Sequence, residues 1–554
     1  MSERPQPFRD LSRRRNALSR NNETAELCPA KGQIVAVYPL TERAIILREG
    51  DDVAVARIPL ESGTELVLDN GGVRLRADVP AGHKIALREI GVGRPIHKYG
   101  QVIGYATAAI GPGDWVHSHN LHVGEISLDY EFGTDLRPPR PLSADEKRTF
   151  EGFARADGRA GTRNFISLVS TVNCSADTVH MVADRLKREA LPDFPNVDGV
   201  VAATHKTGCG MAIHGHEYKT LQRTLAGMAD HPNVSASLLM GLGCEVNQAA
   251  ALIQDQKLIA PSSIGRGRPE PPAILTIQHV GGVRKTVEAG FQEALKLLKR
   301  ANETRRTTQP ISRFIVGTNC GGSDGNSGIT ANPALGACGD EMVRHGAAWL
   351  IAETTETYGA EHLLTRRAVS REVGEKLIAL MRWWENYTAI HGAEIDNNPA
   401  PGNKDGGLTT IYEKSLGAVT KSGTTPMVAV YDFAERIRHA GFSFMDTPGL
   451  DPVSVTGLVA GGSNLVAFTT GRGSCLGFKP TPVLKIATNT PLYQRMEEDM
   501  DIDAGVILSG VSIEDVGKMI FEELIEVASG KRTKSEAQGL GDQEFAPWAL
   551  GPVL

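Results

Sequence analysis

Aromatic side chains are scarce: Phe, Tyr and Trp together make up 5% of this 554-residue chain. No run of about 18 apolar residues occurs, the length a membrane-spanning helix needs. The first residues show no apolar core of a secretory signal. Basic residues are not in surplus, with 59 Lys and Arg against 65 Asp and Glu and a net charge of −6, which argues against a nucleic-acid partner. The 7 cysteines are odd in number and widely spread, and no CxxC pair is present. Neither a zinc ribbon nor a ferredoxin-type ligand run therefore fits. Scattered thiols in a large chain suit a reducing compartment, and the cytoplasm is the expected location. The phosphate-loop pattern GxxxxGK[ST] and the dinucleotide pattern GxGxxG are both missing, so no nucleotide is expected.

Glycine is plentiful instead, at 60 residues, which suits tight turns and close backbone approach to a ligand. The 41% hydrophobic and 22% charged content is that of a globular protein, and the length allows three or four domains of roughly 150 residues each. Residues 1–27 are arginine-rich and poor in apolar side chains, and read as a solvated, disordered tail. Over 28–130 short alternating runs (DDVAVARI, TELVLD, GVRLRADV, HKIALREI) broken by Gly, Pro and Asp predict a small all-β domain. A Pro- and charge-rich linker, 131–150, follows. Strand-length apolar runs then alternate with amphipathic segments such as TVEAGFQEALKLLKRA, which predicts two α/β layered domains with mostly parallel sheets, 151–300 and 311–554, separated by the polar break ANETRRTTQPIS. The irregular stretch from His391 to Thr410 is long enough to be functional.

Four thiols share one setting. Cys174, Cys209, Cys244 and Cys320 each lie in or just after a short apolar run and beside a Gly or Ser. Such runs read as strands ending in loops, and ligands of open α/β sheets bind outside the carboxyl ends of the strands. The thiols could be packed small hydrophobes, iron or iron–sulfur ligands, or in one case a nucleophile. HSHN places His117 and His119 two apart, on one face if the segment is a strand; His83 belongs to the same domain. The Gly-rich turns CGGSDGNSG and TTGRGS offer backbone N–H groups suited to a small anion, with Gly321, Gly322, Ser323, Asp324, Arg472, Arg163 and Lys479 as possible contacts. Glu245, Asp446 and the pair Glu361–His362 sit near turns and could equally be acids, bases or caps.

Together FARADGRAGTRNFISLVSTVNCSA, FPNVDGVVAATHKTGCGM, GLGCEVNQ, CGGSDGNSGITANPALGA, ETYGAEHLLTRRA and TTGRGSCLGFKPTP resemble the altronate/galactarate dehydratase family, while GHKIAL, HKYGQVIGYA and HSHN resemble its N-terminal SAF-type (β-clip) domain. HSHN and the ending EFAPWALGPVL look more like the altronate enzymes. The resemblance spans residues 28–554. It implies a hydro-lyase converting D-altronate to 2-dehydro-3-deoxy-D-gluconate in hexuronate breakdown, or acting on another sugar acid such as galactarate, or a related sulfolactate lyase; a sugar-acid sensor is the non-enzymatic alternative. It also implies Fe2+, with Mn2+, another divalent ion or an iron–sulfur cluster as variants. On this reading His83, His117, His119, Cys174, Cys209, Cys244 and Cys320 surround the metal, His117, His205 and Lys479 are the catalytic candidates, and Arg163, Arg472 and the 321–324 turn hold the substrate. A homodimer is expected, with no membrane or nucleic-acid partner.

Overall fold

The computed structural model describes residues 36–68, 71–259 and 270–550; the arginine-rich tail and Cys28 lie outside the described residues. The N-terminal unit consists of three small sheets, almost wholly antiparallel, from Val37–Pro39 to Leu121–His122. One turn recurs in it. Gly63, Gly82, Gly93 and Gly113 each follow a short bridge or strand with φ between 73° and 86°, the left-handed region that an L side chain resists. A Cβ on Gly113 would also lie 2.0 Å from the Arg74 carbonyl oxygen. Leu66, Val73, Leu75, Val79 and Ile85 form the buried centre of this unit.

The two polar breaks seen in the sequence meet in space. Thr149–Ala154 pairs antiparallel with Thr307–Pro310, so the segments that flank the first α/β unit close on each other as a small sheet. Thr149–Ala154 buries Phe150 and Phe153, whereas Thr307–Pro310 is polar and largely exposed and shows no apolar alternation in the sequence.

The first α/β unit has four parallel strands in the spatial order Gly199–Ala203, Phe165–Ser170, Val234–Gly241, Ala273–Thr276. Helices Ala176–Glu189 and Val283–Ala301 cover one face, burying Val179, Val182 and Leu186 against Phe291, Ala294 and Leu298 at helical spacing. Each such large apolar side chain contributes about 1.5–3 kcal/mol. Helix His216–Ala229 covers the other face and packs on Asp451–Ala460 of the next unit so closely that a Cβ on Gly227 would lie 2.0 Å from the Ala460 carbonyl oxygen.

The second α/β unit is a seven-stranded parallel sheet in the order Met427–Tyr431, Gly441–Met445, Ala348–Ile351, Ile315–Cys320, Leu465–Thr470, Val483–Ala487, Ile502–Asp503. In both units the first strand of the chain is central and the chain fills one side before the other. The switch points therefore fall at Phe165–Ser170 and beside Ile315–Cys320, where open sheets form ligand crevices.

Candidate active site

The N-terminal β unit is clamped onto the carboxyl edge of the seven-stranded sheet. Lys84 and Lys98, fully buried, both reach Glu413, at 2.9 Å and 2.8 Å. Thr409 adds its N–H and hydroxyl to the same carboxylate, and Lys84 also donates to the Gly407 carbonyl. These cations hold the Glu413 carboxyl far below the ordinary carboxylate range despite its burial, while burial lowers Lys84 to about 8. Gly82 presses its carbonyl against Gly325 and Gly407, which explains the absence of side chains there. The long stretch after His391 thus supplies the floor on which the β unit rests.

That contact brings His83, Trp115 and His117 over the edge of the sheet. Trp115 Nε1 donates to His83 Nδ1 at 3.1 Å, so His83 Nε2 carries the proton it gives to the Asp405 carbonyl at 3.2 Å. Both His83 nitrogens are therefore committed. His117 stacks on Trp115, with ring centroids 5.3 Å apart, and lies 5.0 Å from His83. Its buried Nδ1 has no hydrogen-bond partner. Burial, reinforced by Lys84, lowers His117 to about 4, so the ring is a neutral imidazole. HSHN is not a strand beyond Val116: Asn120 folds it into a turn by accepting from His117 N–H and donating to the Trp115 carbonyl. His119 is exposed and tilts against Trp115, with ring centroids 5.4 Å apart, rather than sharing a strand face with His117.

Below this roof lies the loop after Ile315–Cys320. Its N–H groups at Cys320, Gly321, Asp324 and Gly325 are used internally. Those of Gly322 and Ser323 have no acceptor among the described residues. Arg472 is exposed beside them, its main chain tied to Gly322, and its guanidinium carries no hydrogen bond or ion pair among the described residues. Asp324 does not face a ligand: it accepts from Ser327, Thr488, Asn489 and the Asn326 N–H, and so fixes the 321–324 turn to the loops around it.

The same edge holds acids that the sequence reading passed over. Glu353 has φ +64°, is fully buried, and accepts from the Cys320 N–H and from Lys421 at 2.6 Å. Burial pushes its carboxyl up against the opposing pull of Lys421. Asp451 accepts from Asn319 and is raised to about 6 by burial, with Glu356 adding to the effect. Lys414 pairs with Glu356 at 2.7 Å. Gly321 is obligatory next to this group, since a Cβ there would fall 2.2 Å from Asp451 Oδ2. The apolar run AWLIA breaking into ETTE was the available signal for Glu353 and Glu356.

The other expected site residues lie elsewhere. Cys174, Cys209 and Cys244 are at the switch point of the four-stranded sheet, and Cys320, buried between Ser323 and Asn332, is on the seven-stranded one. His205 lies with the three thiols. It accepts from Thr207 N–H at Nδ1 and donates from Nε2 to the Ser170 carbonyl, and burial lowers it to about 4. With both nitrogens spent it braces the loops and is not a free base. Arg163 precedes its strand and so sits at the amino edge, where it pairs with Glu536 and donates to the carbonyls of Thr162, Val527 and Lys531. Lys479 is held by Asp542 and the Gly539 carbonyl. Neither cation is available to a substrate carboxylate.

Among the described residues no three His, Cys, Asp or Glu side chains converge on a point that a single ion could occupy. The seven expected ligands fall into three places, and His83 has no lone pair to offer. A mononuclear ion held jointly by these imidazoles and thiols does not fit.

Three family models cover most of the chain: the altronate/galactarate dehydratase SAF domain over residues 42–124, the D-galactarate dehydratase/altronate hydrolase second domain over 152–302, and the D-galactarate/altronate dehydratase C-terminal domain over 311–553. Galactarate dehydratase (L-threo-forming) of Escherichia coli is 39% identical over 86% of this chain and 93% of its own. Altronate dehydratases of Escherichia coli and Bacillus subtilis are 36% and 34% identical over 91% and 92% of this chain and 98% and 99% of theirs. With its SAF-type unit, both α/β units and the loops between them all matched, the chain belongs to the altronate/galactarate dehydratase family of hydro-lyases.

Proposed function

We propose that the chain dehydrates a six-carbon aldonate, D-altronate to 2-dehydro-3-deoxy-D-gluconate and water, in the breakdown of hexuronates. The observation that carries the choice is charge. Lys84 and Lys98 on this edge are both committed to Glu413, Lys414 to Glu356 and Lys421 to Glu353, which leaves Arg472 and the free N–H groups of Gly322 and Ser323 for one substrate carboxylate. A second reading, galactarate, is favoured by the 39% identity to a galactarate dehydratase, but needs a partner for a second carboxylate.

The reaction removes the proton on C2, breaks the C3–O bond and releases the hydroxyl as water; the enol then becomes the 2-keto acid. His117 is the base, because it is neutral and its Nδ1 is unpartnered. Asp451, raised to about 6 and therefore partly protonated near neutrality, donates to the departing hydroxyl. Trp115 stacks on the His117 ring and fixes its direction. No step is assigned to Arg163, His205 or Lys479.

The test is a panel of aldonates and aldarates incubated with anaerobically purified protein, with 2-keto acid measured. Turnover of altronate well above galactarate supports the reading. Preference for galactarate overturns the substrate choice, and no keto acid from any member overturns the dehydratase reading itself.

A further inference from the structure

A cavity of about 630 Å³ takes no part in the reaction described above: His117, Asp451 and Arg472 are not among its walls. It lies between segment 123–130, which leaves the N-terminal β unit, and three pieces of the second α/β unit. These are helix Glu361–Thr365, the end of helix Arg371–Ile390 and the first turn of helix Ile411–Ala418. Its walls are tied together. The Tyr412 hydroxyl donates to the Gly124 carbonyl and the Ile411 N–H to Asp396, each at 2.8 Å.

The walls carry charge of one sign. Glu125, Glu361, Glu385, Glu394 and Asp396 supply carboxylates, and no Lys, Arg or His lines the cavity among the described residues. Arg382 and Lys404 act on Tyr130 and Asp396 from outside the walls and make no ion pair with these acids among the described residues. The buried acids of the reaction edge are treated differently, since Glu353, Glu356 and Glu413 each hold a lysine. Glu361 is the decisive residue, because it is not a solvated surface acid. It is 2% exposed. Its Oε1 accepts from the Tyr130 hydroxyl at 2.7 Å, whereas the buried Oε2 has no hydrogen-bond partner. Burial raises its carboxyl against the pull of Tyr130 and of nearby main-chain N–H groups. A buried oxygen left without a donor costs about 1–3 kcal/mol or more, and one that lines a cavity recovers this from a ligand.

The rings narrow the ligand further. Tyr130, Tyr358 and Tyr412 line the cavity with their hydroxyls already spent, on Glu361, on Glu385 at 3.0 Å and on the Gly124 carbonyl. Tyr358 and Tyr412 stack with ring centroids 6.2 Å apart. What they offer a ligand is therefore aromatic surface, which attracts a cation. Oε2 needs an N–H, which a quaternary ammonium and a bare metal ion both lack, and no three of the described acids converge on one ion. Val123, Ile126, Leu128 and Ile395 suit an alkyl stem, and the exposed Glu385 and Glu394 suit a second charge. We propose that this cavity binds an aliphatic diamine or polyamine, with one primary ammonium donating to Glu361 Oε2 among the three tyrosines and another at Glu385 and Glu394. The site stands whichever sugar acid is the substrate. Ile411 and Tyr412 directly precede Glu413 and Lys414, so the amine rests on the first turn of the helix that holds the β unit in place.

The full chain is titrated with putrescine and with spermidine by calorimetry at constant ionic strength, with tetramethylammonium and magnesium chloride as controls. Saturable binding of at least one of the two amines is expected, with neither control competing for the site. Glu361→Gln should weaken that binding by roughly tenfold or more, the weight of one charge-assisted hydrogen bond. Ala389→Arg, at an exposed position on the cavity wall, places a guanidinium where the amine would sit and should abolish binding without disturbing a buried group. Far-ultraviolet circular dichroism verifies that each variant is folded, and Ala389→Arg alone decides the matter where Glu361→Gln is not. No saturable heat from either amine overturns the proposal. Equal affinity for tetramethylammonium or magnesium does so too, since charge alone would then suffice. Amine affinity unchanged in the folded variants places the amine elsewhere and likewise overturns it.

Discussion

His117 owes its character to its neighbours. Trp115 covers one ring face, Lys84 sits behind it, and its Nδ1 is buried without a donor or acceptor. An imidazole in that position cannot hold a proton in the resting protein but can receive one from a bound carbon acid. His117→Ala is expected to reduce kcat by about 10²–10⁴-fold, the usual contribution of a general base. Its thermal unfolding should shift little, since the ring is only half buried. Asp451→Asn should cause a comparable loss and also remove from the rate profile the fall in activity as pH rises through about 6, where the acid loses its proton. A His117→Ala enzyme within a factor of three of the parent would remove it as the base. At this scale the sequence was uneven. HSHN and CGGSDG lie on loops that the fold brings to one edge, whereas Arg163 and Lys479 precede strands and lie at the amino edge, away from that crevice, as their order in the chain already implied. Glu353 and Asp451 were harder to see. Their importance comes from burial beside Lys421 and Glu356, and these partners are distant in sequence.

Between elements, the Glu413 clamp joins strands Lys84–Ala86 and Pro95–Lys98 to helix Ile411–Ala418. All three charged groups are fully buried, so the desolvation cost is large and the net gain of the cluster over an apolar equivalent is small. Breaking it is another matter. Glu413→Ala would leave two buried ammonium groups without a counter-charge, a loss of about 3–5 kcal/mol. Hydrogen exchange at Ile85 and Ile96 should then rise well before the α/β units open, as the SAF-type unit lifts away and takes His117 with it. The matched replacement Lys84→Met, Lys98→Met, Glu413→Leu is expected to restore most of the stability, although it removes the same hydrogen bonds. If the triple variant is as unstable as Glu413→Ala, the clamp acts through bond geometry and not through unpaired charge. Neither lysine could be assigned this role from the sequence. HKIAL and IHKYG show only strand-like alternation, which reports one buried face and cannot show that the other face is covered by a helix more than 300 residues away.

Two buried histidines, His205 and His231, contribute most directly to the acid sensitivity of the packed units, beside His117 at the edge. His205 braces the thiol loops, and His231 joins the two α/β units by donating from Nε2 to the Ser463 carbonyl while accepting from the Asn233 N–H at Nδ1. Burial lowers them to about 4 and about 3. Between those values and the unfolded value of about 6.5 the unfolded chain binds more protons than the folded one, so stability rises with pH across that window and is lost as pH falls through it. At pH 5 the loss is about 2 kcal/mol for each ring. Glu413, whose folded value is depressed, adds to the acid sensitivity only as pH falls through the ordinary carboxylate range. Asp451, raised to about 6, works in the opposite sense, since the folded state takes up its proton first. Comparing variants separates these contributions. His231→Asn should be less stable than the parent at pH 7, because the bond to Ser463 is weakened, yet its denaturant midpoint should fall less between pH 7 and pH 5. An unchanged pH slope in the variant would mean that His231 already carries its proton in the folded state, and that the contact between the α/β units depends on charge at that ring.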